Sequence, residues 1–306
     1  MGQVFRLLLG CFVMLGAGLS WQAPALAQVT VEDRLAEGQP PIIAPFRGFA
    51  GAYPENSLAG IAEAVSIGAG IIDIQVQITS DGQLIVFHDQ FLNGRTDVEA
   101  VFEQGPPGGP TREERYGRDY LSDYTLAEVQ QLHLLHEGVP TEHGIPTLAE
   151  ALDLVGQQSL VLLSLNDFDL DRLLEALANR PTDHILIYNV NPEVLAEVVA
   201  ATGLPAFISL RRSRVFDTTL TLAILDAHHE ILGDSIAVGH LRATRELTPE
   251  LVARSQELGI VLSVSAGRED FALEQGDPGP WAEALELDAA MFWSPHPEQV
   301  LEILNQ

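Results

Sequence analysis

Three side chains in the first third of the chain have the chemistry needed to hold and act on a phosphate group. Arg47 ends a short apolar run, and its planar guanidinium can grip two phosphate oxygens at once. His88 ends a later apolar run and can carry a proton near neutral pH. Asp73 lies between them and can bind a cation or pair with Arg47. The alternatives are a structural ion pair for Arg47 and a buried, hydrogen-bonded imidazole for His88.

The elements that must position these residues follow a β-then-α pattern. After the Pro40–Pro41 pair, short apolar runs alternate with segments of helical period. This alternation predicts an α/β fold, a (β/α)8 TIM barrel with a closed parallel sheet. The C-terminal ends of barrel strands converge at one mouth, where we expect the three side chains to lie. The predicted strands are residues 42–47, 71–79 with 84–88, 160–165, 185–190, 205–210, 235–240, 260–265 and 290–294.

Helix start signals agree with this arrangement. Asn56 is expected to cap a helix over residues 57–67. Residues 93–124 are rich in glycine, proline and charge, which indicates a long loop or small insertion after the second strand. The remaining start signals are two capping boxes and two residues that precede a proline, namely Thr125 with Glu128, Thr147 with Glu150, Asn191 and Thr248.

The N-terminus resembles a Sec-type signal peptide. Arg6 is the only charge before an apolar run over residues 7–19, and residues 25–27 offer a small-x-small cleavage site. The predicted organisation is a signal peptide over 1–27, a linker over 28–40 and one barrel domain over 41–306. Cys11 is the only cysteine, so cleavage leaves no disulfide, and whether Cys11 carries a lipid stays open. The sequence therefore predicts a periplasmic or secreted protein with no integral membrane span after cleavage.

The charge of the chain limits its partners. All 16 basic residues are arginine, against 43 acidic residues, and the formal net charge is −27. Such a field repels phosphate backbones, so we expect no nucleic-acid partner. The sequence names no protein partner and no oligomeric state.

Two blocks of short motifs lie around the first two predicted strands. The first block is residues 46–48 with residues 54–58, and the second is residues 68–69, 73–75, 81–82 and 88–89. Three later stretches are residues 145–148, 164–166 and 294–297. In this order the stretches resemble the His-Arg-Gly, Pro-Glu-Asn-Thr-Leu, Gly-Ala, Glu-x-Asp, Asp-Gly, His-Asp, Pro-Thr-Leu, Glu-x-Lys and Thr-Asp-x-Pro motifs of the glycerophosphodiester phosphodiesterase family, in the phospholipase C-like phosphodiesterase superfamily.

This resemblance implies a TIM barrel that hydrolyses phosphodiesters. The family uses a divalent cation held by carboxylates, and two histidines that move protons. Here the first histidine position is Phe46, the metal-ligand positions are Asp73, Gln75 and Ser164, and the lysine position is Asn166. Because one carboxylate remains of three, the sequence predicts no cofactor beyond weakly bound calcium or magnesium at Asp73.

The resulting hypothesis is a catalytically impaired or inactive homologue whose mouth still binds a phosphate or glycerophosphodiester. Arg47, Gln75, Ser164 and Asn166 would form the binding set, and Arg47 with His88 would be what remains of the catalytic set. The alternative is an active phosphodiesterase that releases glycerol phosphate and an alcohol. Its rearranged site would use His88, Asp73 and His240, which ends the sixth predicted strand.

Overall fold

The computed structural model describes residues 28–210 and 215–306 of the chain. The predicted signal peptide and Cys11 lie outside the described residues. Strands and helices alternate along most of the chain. The strands are β1 Ile42–Pro45, β2 Ile71–Ile78, β3 Leu84–Val86, β4 Leu135–His136, β5 Val139–Pro140, β6 Leu160–Leu165, β7 Ile185–Tyr188, β8 Ala206–Ser209, β9 Ile236–Leu241, β10 Val261–Ser265 and β11 Met291–Ser294. The helices are α1 Val31–Leu35, α2 Leu58–Ser66, α3 Val98–Val101, α4 Leu126–Val129, α5 Leu148–Val155, α6 Leu170–Leu177, α7 Pro192–Thr202, α8 Thr218–Leu232, α9 Pro249–Glu257, α10 Gly267–Glu274, α11 Gly279–Ala284 and α12 Pro297–Leu304.

The main sheet is a curled, almost wholly parallel sheet with the strand order β1-β11-β10-β9-β8-β7-β6-β2-β3. Only β3 runs antiparallel, as a hairpin partner of β2 at the edge. A backbone hydrogen bond from Gly70 to Ile43 (3.1 Å) joins the two ends of the parallel part, between β2 and β1. This architecture confirms the predicted α/β barrel fold. Among the described residues, none of the helices combines the length and the apolar character needed to cross a bilayer.

Side chains alternate between two cores along each strand, because successive residues point to opposite faces. One face packs against the surrounding helices and forms the larger core, with residues such as Ile72, Leu163 and Phe292 fully buried. The other face fills the barrel interior. The interior cluster consists of Val31, Ile42, Ala44, Ile71, Leu160, Leu162, Leu186, Phe207, Val238, Met291 and Trp293.

The segment predicted as a linker closes the lower end of the barrel. Thr30 caps the short helix α1, and Val31 packs against the interior cluster. The backbone amide of Val29 donates to Gln157 (3.1 Å), and that of Val31 donates to Asp183 (2.8 Å). Both acceptors lie just before strands, at the N-terminal ends of β6 and β7, so this segment lies opposite the mouth.

The turn after β1 is tightly built. It forms a single 3-10 turn over Phe46–Gly48, in which Arg47 has a left-handed backbone (φ 48°) that non-glycine residues rarely adopt. Gly60 of α2 lies against this turn, because a side-chain Cβ there would meet the Gly48 carbonyl oxygen at 2.3 Å. This close contact between α2 and the turn fixes the position of the Arg47 backbone.

The residue predicted to cap α2 was wrong by one position. Ser57 is the cap, and its Oγ accepts from the Gly60 amide. Asn56 adopts a left-handed backbone (φ 60°) and turns its side chain to Gln75 instead. The other start signals are confirmed: capping boxes occur at Thr125 and Thr147, and Asn191 and Thr248 cap helices that begin with proline.

The segment between β3 and α5 folds around a small core of its own. It includes α3, α4 and the β4–β5 hairpin. Asp119, almost fully buried, accepts hydrogen bonds from Tyr124 Oη (2.6 Å), Arg112 Nε (2.6 Å) and Asn93 Nδ2 (2.8 Å). These bonds give the glycine- and proline-rich residues a defined path without regular secondary structure.

A buried carboxylate ties the last strand to the helices. Asp270 of α10 accepts from Ser294 Oγ (2.5 Å) on β11 and from Trp281 Nε1 (3.2 Å) on α11. Burial raises the pKa of Asp270 from 3.8 to about 6, against the lowering effect of the Ser294 hydrogen bond. The folded protein therefore binds a proton at Asp270 more tightly than the unfolded chain does.

We expect Asp270→Asn to flatten the pH dependence of stability. With a folded-state pKa near 6 and an unfolded-state value near 4, the contribution of Asp270 is largest in acid and is lost as pH rises through 6. Between pH 5 and 8 this loss amounts to about 1.4 kcal/mol. Urea denaturation at the two pH values measures it, as the difference between wild type and variant. The control is Asp171→Asn, at an exposed position on α6. If the unfolding free energy of Asp270→Asn changed between the two pH values as much as that of wild type, the assignment would be contradicted.

Candidate functional site

Polar side chains gather at the C-terminal ends of neighbouring strands, at the barrel mouth. Arg47 follows β1, Asp73 and Gln75 point inward from β2, and His88 follows β3. Ser164 lies on β6 opposite Gln75 in the strand register. This set is buried towards the barrel interior and half-exposed at the rim, where the side chains of Arg47 and His88 are 31% and 33% exposed. The structure thus brings the residues singled out in the sequence into one site.

Asp73 is the carboxylate at the base of the mouth. Its Oδ1 accepts from Ser164 Oγ (2.8 Å), and its Oδ2 accepts from Gln75 Nε2 (3.2 Å). Burial raises the pKa of Asp73 to about 6, and the hydrogen bond from Ser164 opposes that rise. The Arg47 guanidinium is bonded to Glu55 and His88 rather than to Asp73, while the backbone of Arg47 hydrogen-bonds to this carboxylate and the positive charge of Arg47 also lowers its pKa. The direct hydrogen-bond donors to the carboxylate are therefore neutral groups.

The orientation of Gln75 is set by Asn56. Asn56 Nδ2 donates to Gln75 Oε1 (3.1 Å), which leaves the Gln75 amide nitrogen facing Asp73. Both Asn56 and Gln75 are buried. The Gln75 and Ser164 donors, which the sequence suggested for a ligand, are thus engaged by Asp73 in this structure.

Arg47 is held from two sides. Its Nη1 donates to Glu55 Oε2 (2.8 Å), and its Nη2 lies 3.2 Å from His88 Nε2. A guanidinium can only donate, so this contact is a hydrogen bond in the His88 tautomer whose Nε2 accepts. In that tautomer Nδ1 carries the proton and contacts Asp89.

Arg95 closes these contacts into a ring of five side chains. Its Nε donates to Asp89 Oδ2 (2.8 Å) and lies 3.4 Å from Glu55 Oε1. The cycle runs through Arg47, Glu55, Arg95, Asp89 and His88, and returns to Arg47. We call this cycle the charged ring. Sequence reasoning missed Arg95, and its position a few residues after the His88–Asp89 pair was the signal that could have found it.

The carbonyl of His88 is also fixed. Gln77 Nε2 donates to it at 2.9 Å, and Asn166 Nδ2 donates at 3.2 Å. Asn166 is exposed at the rim, where the resemblance places a lysine. It acts here as a neutral positioning group for the strand end that carries His88.

The residues present do not fit a divalent cation. Both oxygens of Asp73 already accept hydrogen bonds, and Gln75 turns its NH2 group rather than its oxygen towards them. A second group of ligand atoms, from Glu55, His88 and Asp89, lies within 4.8 Å of one another. Arg47 and Arg95 form ion pairs with Glu55 and Asp89 at this place, and their positive charges would repel a cation. No step of chemistry is therefore derived through a metal.

The opposite wall of the mouth is aromatic. Phe46, at the position of the first histidine, packs against Trp293 with ring centroids 5.6 Å apart. His240 stacks on Phe207 (5.7 Å), and Ser263 and Ser265 hydroxyls lie 3.1 and 3.3 Å from its ring nitrogens. This wall offers no second proton carrier near the charged ring.

His240 is poorly suited to proton transfer at neutral pH. Burial, together with the smaller effect of the nearby Arg242 charge, lowers the pKa of its imidazole to about 4. It lies on β9, and β9 is separated from β2 by β8, β7 and β6 in the strand order. The alternative site built from His88, Asp73 and His240 would thus have to act across the full width of the barrel.

The arrangement as a whole can bind an anion and hold one proton acceptor. Arg47 and Arg95 provide fixed positive charge at the rim, while His88 Nε2 provides a basic nitrogen. Hydrolysis of a phosphodiester also requires protonation of the leaving oxygen, and the Phe46 side chain cannot supply that proton.

Comparison with known proteins gives the same family over much of the chain. The sequence model of the glycerophosphoryl diester phosphodiesterase family matches residues 47–264. A glycerophosphodiester phosphodiesterase of Haemophilus influenzae is 37% identical over 103 residues, which cover 34% of this chain and 26% of the relative. One of Bacillus altitudinis is 33% identical over 124 residues, covering 39% and 42% respectively. The chain thus spans less than half the length of these curated relatives.

Solved structures share the fold. A glycerophosphoryl diester phosphodiesterase from Parabacteroides distasonis superposes with a TM-score of 0.65 at 21% identity, over 92% of this chain and 93% of the other. A phosphodiesterase from Oleispira antarctica, solved with the product sn-glycerol-3-phosphate, gives 0.63 at 21% identity, over 87% and 97%. At these identities the likeness concerns the barrel alone.

Proposed function

The chain belongs to the glycerophosphoryl diester phosphodiesterase family, and we propose that it is an exported, catalytically impaired member that binds a phosphate or glycerophosphodiester without a metal. The main observation behind this proposal is that Phe46 stands at the position of the family's first histidine. A phenyl ring cannot transfer a proton, and the Phe46 ring packs against Trp293. One proton carrier, His88, therefore remains of two.

The binding part of the proposal rests on the charged ring. A phosphoryl oxygen that approaches Arg47 meets a guanidinium whose direction is fixed by Glu55 and His88. Preorganised charge-assisted donors of this kind bind anions without a metal. The relative from Oleispira antarctica, solved with sn-glycerol-3-phosphate, supports a ligand of this size and chemistry.

The export part rests on the first 27 residues. Their single charge, apolar run and small-x-small end are typical of a cleaved leader. Cleavage would change the formal net charge from −27 to −28, from 15 arginines and 43 acids. Mass spectrometry of the N-terminus of protein recovered from a periplasmic extract tests this point, and Gln28 is the expected first residue.

We expect the protein to release no detectable glycerol phosphate from glycerophosphocholine, with or without calcium or magnesium. Loss of one acid/base partner alone commonly slows such reactions by about 10²- to 10⁴-fold, and loss of the metal adds to it. The measurement is a coupled assay of glycerol 3-phosphate release, run with metal and with a chelator.

The control for this assay is His88→Ala, which removes the remaining base. Turnover that disappears both in the chelator and in His88→Ala would contradict impairment and favour the alternative of an active enzyme with a rearranged site. Turnover that survives His88→Ala would instead point to a contaminating hydrolase. That background rate is subtracted before wild type and variant are compared.

A further inference from the structure

We propose that Arg95 is a second anion-binding residue, and that with Arg47 it makes the mouth select a phosphate monoester dianion over a phosphodiester. The inference rests on the proposed function, since it concerns the ligand class of the same site. It goes further in assigning a residue that no motif of the family resemblance identified, and in naming which phosphate the site prefers.

The two guanidiniums are held side by side by one carboxylate. Arg47 Nη1 contacts Glu55 Oε2 at 2.8 Å, and Arg95 Nε lies 3.4 Å from Glu55 Oε1. Glu55 is largely buried, with 13% of its side chain exposed, so it is a fixed anchor rather than a surface partner. Asp89 and His88 hold the far sides of the pair. The two cations therefore share Glu55 as a partner and lie near each other at the rim.

Both guanidiniums keep donors available for a ligand. A guanidinium has five N–H groups. Arg47 uses Nη1 and Nη2 for one contact each, which leaves three N–H groups. Arg95 uses only Nε within the described part of the chain, which leaves all four on its Nη atoms, and its side chain is 41% exposed. Each can thus present a two-donor fork to the mouth.

Two forks need more oxygens than a diester offers. A phosphodiester has two unesterified oxygens and one negative charge, which satisfy a single fork. A phosphate monoester has three unesterified oxygens and carries between one and two charges above its second pKa near 6. With one oxygen shared, three oxygens can engage both forks. The second ligand charge also strengthens the hydrogen bonds that the second fork donates, because bonds to a more charged acceptor are stronger.

The experiment is calorimetric titration of the mature protein in a chelator, at slightly alkaline pH, with two matched pairs of ligands. Methyl phosphate is compared with dimethyl phosphate, and glycerol 3-phosphate with glycerophosphocholine. We expect wild type to favour the monoester of each pair by about tenfold or more. Arg95→Gln keeps a donor for Asp89 but removes the charge and one fork, so the preference should fall close to parity.

Two further variants make the result specific. Arg95→Lys keeps the charge without the planar fork and should retain only part of the preference. Arg254→Ala removes an exposed, ion-paired arginine on α9, remote from the mouth, and should leave the preference unchanged. Thermal unfolding of each variant confirms that it is folded at the titration temperature.

The outcomes separate the inference from the proposed function. Wild type that binds both members of a pair equally, or an Arg95→Gln variant that keeps the full preference, would overturn the role of Arg95 while leaving anion binding in place. Wild type that binds none of the four ligands would overturn the proposed function, and this inference with it. A preference lost in Arg95→Gln but kept in Arg254→Ala supports the two-guanidinium site.

Discussion

Replacing Arg47 with alanine is expected to remove most of the affinity for glycerol 3-phosphate. A charge-assisted hydrogen bond contributes about 1.5 to 3 kcal/mol, which corresponds to a loss of roughly 10- to 150-fold in affinity. Arg47 is the cation with contacts to both Glu55 and His88, so its removal also frees these two groups to repel an anion or reorient. Calorimetry or ligand-detected NMR at low ionic strength measures the loss, and added salt should weaken wild-type binding.

Two more substitutions at this position separate the effect of the charge on affinity from the effect of the backbone conformation on stability. Arg47→Lys should restore part of the affinity, because an ammonium cannot form the planar fork. Arg47→Gly should bind as poorly as Arg47→Ala but be more stable by about 1 kcal/mol, because the left-handed backbone at φ 48° suits glycine. Affinity in Arg47→Ala equal to that of wild type would mean that the mouth does not bind anions through this residue.

Rebuilding the family's carboxylate set should create a protein that depends on metal. In Gln75→Asp/Ser164→Glu, two further carboxylates would face Asp73, whose burial already raises its pKa to about 6. Without metal we expect the free energy of unfolding to fall by about 3 kcal/mol or more, because like charges in a buried site repel each other. Calcium or magnesium at about 100 times its dissociation constant should return about 2.7 kcal/mol.

Thermal denaturation in a chelator and in millimolar calcium measures both effects. The matched neutral control, Gln75→Asn/Ser164→Gln, has similar side-chain volumes and should show no metal response. Wild type is expected to respond little, since Asp73 is its only carboxylate in that set and is occupied by Ser164 and Gln75. A several-degree rise for wild type at micromolar calcium, absent in Asp73→Ala, would show that a tight metal site exists after all.

The barrel could be predicted from the sequence because its signals are local. Each strand is a short apolar run, and capping residues such as Thr147 and Asn191 act within one helical turn. Several strand ends were predicted one or two residues too far along the chain, for example at residues 189–190, which lie beyond the end of β7. Asp73 and Gln75 lie two residues apart on β2, so the alternation of strand side chains directs both to the same face, and Ser164 lies opposite Gln75 in the register.

The hydrogen-bond and ion-pair partners within the site could not be predicted, because several side chains of the same chemical type lie within reach of each group. Asp73 and Glu55 are both carboxylates near Arg47, and only the left-handed turn at Arg47 sends the guanidinium to Glu55. Asn56 was expected to act as a cap, yet its own left-handed backbone directs it to Gln75. Long-range pairs of this kind carry no periodicity, so no pattern in the sequence indicates them.

The segment that closes the lower end of the barrel decides how the molecule can be mounted on a surface. Because the amides of Val29 and Val31 bond to the strand starts at Gln157 and Asp183, a linker attached just before Val29 leaves from the face opposite the mouth. Protein immobilised through that linker would present Arg47 and Arg95 to the solution, with the barrel itself as a spacer. A sensor for small phosphate compounds built on this chain should therefore be tethered at its N-terminal side, and a label for detecting ligand belongs on the rim.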